Sequence, residues 1–298
     1  MAGLPADPPA GLPAELGDAL RRLARQECLA DNRLCPCLPL AATEELARAY
    51  GLAPAAVDRA ALELGIRPER YLRNFETYTL AEQARLLDSR AVLVGLGGLG
   101  GHALEILVRA GVGEITGVDG DEFAPSNLNR QLLCDARSLG RSKAGAADIR
   151  AALTNPTVRF TPVPDFLDEA GMDELLAGDG LLAGGAGVCL DALGGLKDRP
   201  ALGRAAARAG VPLVTAAVAG QSGYVATVLP GQANAADFFG DPAQAAENTL
   251  GTPAPAVATA AAILGAEALA ILCGRTPRLA GSMLLFDLGR MHFETVRL

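Results

Sequence analysis

The segment from Ala91 to Asp121, AVLVGLGGLGGHALEILVRAGVGEITGVDGD, restricts the folds open to this chain more than any other stretch. Ala91 to Val94 is a short apolar run, and Gly95, Gly97 and Gly100 follow it at G-x-G-x-x-G spacing. Glycines so placed let the backbone turn tightly out of a strand and present N–H groups with no side chain in the way. His102 to Ala110 reads as the next helix, whose leading N–H groups lack intrahelical partners and whose positive end points at the same turn. Thr116 to Asp119 reads as a second strand, ending in a carboxylate about twenty residues on, where such turns hold a ribose hydroxyl. Asp121 follows closely and also suits the cap of the next turn. A glycine turn alone is compatible with a plain strand-to-helix junction. Lying between a strand and a helix, and upstream of VDGD, this one predicts a nucleotide seat.

With 298 residues, half of them apolar, the chain can bury a core large enough for one or two domains. Its net charge of −8 argues against nucleic acid or an anionic membrane as the main partner. The apolar run Ala254 to Cys273 is alanine-rich and sits beside Pro253, Pro255 and Glu267, so it reads as a buried helix, and no transmembrane segment is expected. The N-terminus has no positive stretch ahead of an apolar one, which argues against a secretory signal and for a cytoplasmic protein. Cys28, Cys35, Cys37, Cys134, Cys189 and Cys273 form no C-x-x-C repeat and are expected to be reduced. The first three cluster in what reads as a loop from Cys28 to Pro39. A three-thiolate metal site there lacks a fourth ligand, because His102 and His292 are distant in sequence, and no metal is expected.

In chain order, Met1 to Leu12 is proline-rich, Pro13 to Glu27 reads as an amphipathic helix, and Thr43 to Tyr50 with Pro54 to Leu64 reads as two helices around Gly51. The pair has the look of a helix-turn-helix. Its second helix carries only Arg59 as a basic residue, between Asp58 and Glu63, so a packing role is expected instead of DNA recognition. Beyond the glycine segment, Phe123 to Lys143 is a polar loop that must emerge near the carboxyl ends of the parallel strands, where open sheets bind ligands. Helices at Ala144 to Leu153, through Leu176 and at Pro200 to Ala209 alternate with strands at Val158 to Pro162, Val188 to Asp191 and Pro212 to Ala219. Gly223 to Leu229 reads as an antiparallel strand, Gln232 to Thr252 as a loop, and Ala256 to Leu272 as a long helix. Ser282 to Asp287 with Met291 to Leu298 reads as a hairpin. The expected fold is α/β: a Rossmann-like doubly wound, mainly parallel sheet with antiparallel C-terminal strands and a helical N-terminal extension. Residues 1–66 are expected to form the extension and residues 67–298 the main domain.

The glycine segment continued through SNLNRQLL at Ser126 to Leu133, then GRSKAGAADIRAALTNP from Gly140, resembles the MoeB/ThiF/HesA family of adenylating enzymes, relatives of the ubiquitin-activating enzymes. The similarity runs from about Arg70 to the C-terminus. It implies that ATP is attacked at the α-phosphate by the C-terminal carboxylate of a small ubiquitin-like sulfur-carrier protein ending in Gly-Gly, giving an acyl adenylate and pyrophosphate. That chemistry needs positioning and charge neutralisation more than a strong base, since the carboxylate is already a nucleophile. Residue by residue, the resemblance implies that Gly98 packs on the nucleotide and Asp119 holds the ribose. It implies that Ser126 and Asn127 belong to the nucleotide site, and that Asn127, Arg130 and Lys143 contact phosphates. Arg73, within Arg70-Tyr71-Leu72-Arg73, resembles the arginine that family dimers extend into the partner's site, so a homodimer is implied. Arg73, Arg130 and Lys143 are thus the expected catalytic residues.

The chain departs from the family pattern three times. The family's D-x-x-D-N, whose second aspartate helps bind magnesium, reads Asp191-Ala192-Leu193-Gly194-Gly195 here. Asp191, Asp198 or Asp121 then stands in, or Mg2+ is held by the triphosphate and water. The zinc-binding C-x-x-C pairs are missing, and so is a cysteine in the crossover at Asn248 to Thr252, which implies adenylation without an enzyme thioester. Cys134 and Cys189 read as small core residues. Gly194 also keeps open a catalytically weakened protein that binds nucleotide and carrier. Modification of tRNA adenosine or adenylation of another carboxylate, and a dehydrogenase using the same glycines, are further alternatives.

Overall fold

In the computed structural model the chain is described over residues 13–29, 32–74, 76–177, 187–232 and 246–298. Two sheets organise it. The N-terminal one holds helix α1 (Ala14–Leu23), strands β1 (Arg25–Cys28) and β2 (Leu34–Leu38), helices α2 (Leu40–Tyr50) and α3 (Pro54–Glu63), and the two-residue strand β3 (Arg67–Pro68). β1 and β2 pair antiparallel, and β3 adds to β2 in parallel. The expected helix therefore ends at Leu23, and the expected Cys28 to Pro39 loop is largely strand. Cys35 and Cys37 are buried there by alternation along β2, a period too short to detect around Pro36. Burial, and then the adjacent Cys35, push the Cys37 thiol well up. No metal-binding group of three His, Cys, Asp or Glu occurs among the described residues.

Leu16, Leu20, Leu38, Leu46, Val57, Leu64 and Ile66 form a core of their own in this part. Asp58 of α3 points inward and is fully buried, accepting the Thr43 hydroxyl at 3.0 Å and an ion pair from Arg70. Arg59, the one basic residue of that helix, is paired with Glu63 and Asp88. Both observations favour packing over DNA contact.

The second sheet has eight strands. Helix α4 (Leu80–Asp88) leads into β4 (Arg90–Val94), followed by α5 (Gly98–Ala110), β5 (Glu114–Val118), α6 (Lys143–Thr154), β6 (Arg159–Val163), α7 (Glu169–Leu176), β7 (Gly187–Asp191), α8 (Arg199–Ala209) and β8 (Leu213–Ala219). Strand β9 (Ser222–Val228), helices α9 (Glu247–Leu250) and α10 (Ala254–Leu272), and strands β10 (Ser282–Asp287) and β11 (His292–Arg297) complete it. The order β6-β5-β4-β7-β8 is parallel, and β9, β10 and β11 extend it antiparallel. This is the expected doubly wound sheet.

Central strands are covered on both faces and so read as continuous apolar runs. Ala91 and Leu93 of β4 face α5, α6 and α10, whereas Val92 and Val94 face α7 and α8. Helix α10 is long and apolar enough to cross a membrane, yet Val257, Ala260, Ala261, Leu264 and Ala268 are buried in the larger core. Helix α5 starts at Gly98 instead of near His102. Glycine's low helix propensity hides that first turn from sequence periodicity, and the turn forms because the sheet holds it.

β4 and β7 are the neighbours from which the chain winds away in opposite directions, so the loops after them diverge and leave a crevice at the carboxyl edge. Register aligns Val94 with both Val118 and Asp191, so the turn after β4, the carboxylate after β5 and the loop after β7 emerge at one level.

Candidate nucleotide-binding site

The crevice is a cavity of about 490 Å³, within the range of ligand pockets. Its floor is the glycine turn. Gly95 has φ +95°, and a Cβ there would lie 2.5 Å from the Ala192 carbonyl oxygen; one at Gly100 would lie 1.8 Å from the Gly95 carbonyl oxygen. Only glycine permits the turn to close this tightly. Gly97 caps α5 and Gly98 opens it, so the helix N-terminus faces the cavity. A Cβ at Gly98 would come within 3.0 Å of Val257 and 3.6 Å of Arg130, so a bare backbone lines that wall.

Asp119, just past β5, is mostly buried and organises the turn: its carboxylate accepts the Leu96 N–H at 2.7 Å and the Asp121 N–H at 2.9 Å. Lys143 is buried at the first position of α6, whose N-cap Ser142 accepts the Gly145 N–H. Its Nζ sits 2.8 Å from Asp121 Oδ2 and 3.9 Å from Asp119 Oδ1. Two carboxylates thus hold an ammonium at the cavity wall, where low dielectric strengthens its action on a nearby anion.

The loop after β5 supplies the opposite wall. Asn127 accepts the Ala124 N–H at 3.0 Å, which fixes a 3-10 turn over Pro125–Asn127. Arg130 donates to the Ser126 carbonyl at 3.0 Å and to Asn129 at 2.7 Å, and its side chain borders the cavity. Phe166, 72% exposed as a residue, borders the cavity with Leu167 and Met172 and offers an apolar surface for a ring.

The structure brings together Gly95, Gly97, Gly98, Asp119, Asp121, Asn127, Arg130 and Lys143 on this cavity, with Gly100 directly beneath it. Three sequence candidates lie apart from the lining. Ser126 is exposed and takes part through its carbonyl. Arg73 is exposed on the 3-10 turn Glu69–Asn74. Asp191 is buried and spent: it accepts from Arg199 at 2.8 Å, from the Thr215 hydroxyl at 2.7 Å and from the Leu193 N–H at 3.2 Å. It shapes the loop after β7 and lies off the cavity lining.

Phe166, Gln131 and Glu247 are among the lining residues that the sequence did not single out. Gln131 is 94% buried on the cavity wall, and its Oε1 has no hydrogen-bond partner. An unpaired buried oxygen is costly to keep, and here it sits on a residue that lines the cavity. Its place in the Ser126 to Gln131 run was the available signal. Glu247 of α9 also borders the cavity and accepts the Gly195 N–H at 2.8 Å. It lies in a stretch without periodicity, 52 residues from its partner, and nothing local marks it.

Sheet order and cavity together define a doubly wound α/β protein with a glycine turn and a helix N-terminus facing the cavity at its switch point. The chain matches the family model described as ThiF family over residues 69–298, and it belongs to that family. SAMP-activating enzyme E1 of Haloferax volcanii is 32% identical over 218 residues, covering 72% of this chain and 78% of that protein. Molybdopterin-synthase adenylyltransferase of Escherichia coli is 32% identical over 223 residues, covering 72% and 86%. Among solved structures, E. coli MccB with ATP superposes with a TM-score of 0.65 at 19% identity, covering 77% of this chain and 70% of that one, which shows a shared fold.

Proposed function

We propose that the cavity binds ATP and that the chain adenylates the C-terminal glycine carboxylate of a ubiquitin-like sulfur-carrier protein, of the kind that serves molybdenum or tungsten cofactor, thiamine or a related sulfur pathway. Family membership and the adenylyltransferases among its relatives make the chain an enzyme of that class. The observation that carries the reading is the convergence of the Gly95 to Gly100 turn, Arg130, Gln131 and buried Lys143 on one cavity. A dehydrogenase has no need of that cationic wall.

In this reading the turn and the α5 N-terminus seat phosphate, Asp119 lies at the ribose, and Phe166 flanks the base. The carrier's carboxylate oxygen bonds to the α-phosphorus, the bond to the β-phosphate's bridging oxygen breaks, and pyrophosphate departs. Arg130 and Lys143 offset the charge that builds on the phosphoryl oxygens. Magnesium would neutralise the triphosphate. The hard oxygen donors present suit it as an ion carried by the nucleotide with one or two carboxylates. No enzyme thioester is assigned, because the crossover at Asn248 to Thr252 has no cysteine and Cys134 and Cys189 pack against or within the core. Arg73, exposed on its turn, is assigned to the partner's site in a homodimer, and the protein to the cytoplasm.

The alternative is a protein that binds nucleotide and carrier with weakened turnover, favoured by the missing side chain at Gly194. Incubating the chain with Mg2+-ATP and carriers ending in Gly-Gly separates the two. Pyrophosphate release with formation of the carrier adenylate is expected. Tight ATP binding without release for any such carrier overturns the adenylation reading.

A further inference from the structure

We propose that Glu247 supplies the carboxylate that meets the nucleotide's divalent cation, taking over from α9 the role that residue 194 cannot fill. The inference rests on the ATP reading above. Five carboxylates border the cavity, Asp119, Asp121, Asp165, Asp198 and Glu247, against three cations. A triphosphate entering such a lining needs a metal to offset the repulsion.

Two of these carboxylates are already committed: Asp119 accepts two backbone N–H groups and Asp121 is paired with Lys143, whereas Asp165 makes one contact, to the N–H of its own neighbour Phe166 at 2.8 Å, and lies away from position 194. Asp198 is exposed at the N-cap of α8 and makes no capping hydrogen bond. Glu247 is half-buried: Oε1 accepts the Gly195 N–H at 2.8 Å, Oε2 has no hydrogen bond or ion pair with a described residue, and the buried Arg199 guanidinium lies within electrostatic range of the carboxylate.

Its location gives the second support. A Cβ built on Gly194 would have Glu247 Oε1, at 3.9 Å, as its one described neighbour within 4 Å. An aspartate at 194 would extend into the space where the Glu247 carboxylate now sits. A carboxylate missing from the loop after β7 is therefore present in space, delivered from a different element. Magnesium asks for one or two such oxygens and takes the rest from phosphates and water, which agrees with the lack of any all-protein cage among the described residues. Gln131, nine-tenths buried, lines the same cavity beside the glycine turn.

Glu247→Gln keeps an acceptor for the Gly195 N–H and removes the charge, and Gly194→Asp restores a carboxylate from the other side. Residue 194 has no positive φ to forbid the aspartate. Calorimetric titration of ATP in EDTA and in Mg2+, with Mn2+ paramagnetic resonance as a direct reading of the metal, tests the assignment. Mg2+ should tighten ATP binding to the natural chain. Glu247→Gln should lose that tightening by about tenfold or more, with metal-free ATP binding in EDTA no weaker than in the natural chain because a repelling charge is gone, and Glu247→Gln with Gly194→Asp should regain it. Full metal-dependent tightening in Glu247→Gln overturns the role of Glu247 while leaving ATP binding intact. A natural chain that binds ATP under neither condition overturns the nucleotide reading itself, and this inference with it.

Discussion

Arg199 donates to Asp191 at 2.8 Å with both side chains all but excluded from solvent, and the same guanidinium reaches the carbonyls of Leu193 and Gly195. One ion pair thus holds the whole loop that follows β7. Asp191 was a candidate for the nucleotide site, and its use here explains why it is a scaffold for that loop.

Replacing Arg199 with Leu leaves a buried carboxylate with only hydroxyl and amide partners. Removing one member of such a pair costs on the order of 3–5 kcal/mol. Urea denaturation should show a loss of that size, and Arg199→Leu with Asp191→Leu should recover most of it. A single variant as stable as the natural chain would exclude a structural pair.

Gly100→Ala places a methyl group 1.8 Å from a backbone oxygen that cannot rotate away. The turn must open, at a cost of about 1–3 kcal/mol, and its N–H groups lose their common focus. ATP affinity should fall more than stability does. Equal ATP dissociation constants for the two proteins would mean the turn is not a phosphate seat.

Gln131→Leu and Lys143→Ala should separate binding from chemistry. The leucine removes an unpaired buried oxygen, so the melting temperature should hold or rise while ATP binding weakens by about 1 kcal/mol. The alanine should slow pyrophosphate release on the order of a hundredfold, the usual loss for one charge-stabilising donor. A lower melting temperature with unchanged ATP affinity for Gln131→Leu would remove that residue from the site.

Glu82 completes the capping box of α4 with Thr79 and pairs with Arg275, which follows α10. Hydrogen bonds from Arg275 hold the Glu82 carboxyl well below its ordinary value of 4.5, at about 2. A carboxylate depressed on folding stabilises above its unfolded pKa and loses that contribution as pH falls through the folded one, so the window runs from pH 4.5 down to pH 2. Gln at this position keeps the box and removes the charge. Glu82→Gln should be less stable than the natural chain at pH 6 by no more than about 1 kcal/mol, given the exposure of Arg275. The difference should vanish near pH 2 in thermal melts at stepped pH.

The main sheet was legible because its central strands are short apolar runs punctuated by Gly, Asp and Pro, a pattern that burial on both faces imposes. The small N-terminal sheet was not. β1 and β2 are four and five residues long, and their pairing comes from contact with each other, not from any run of strand-forming residues. The first turn of α5 was hidden for a related reason, since Gly98, Gly100 and Gly101 carry no periodic signal.

By itself, the sequence determined the glycine turn, the helix behind it, the carboxylate after β5 and the cationic loop through Lys143, because each depends on residues adjacent along the chain. Tertiary structure alone decided the fate of the carboxylates. Asp191 lies in the expected strand but is buried against Arg199 from the following helix, whereas Glu247, distant in sequence, is anchored on Gly195 beside the vacant position 194. Whether a carboxylate is spent or open depends on which donors the fold brings within 3 Å, and those donors come from other elements.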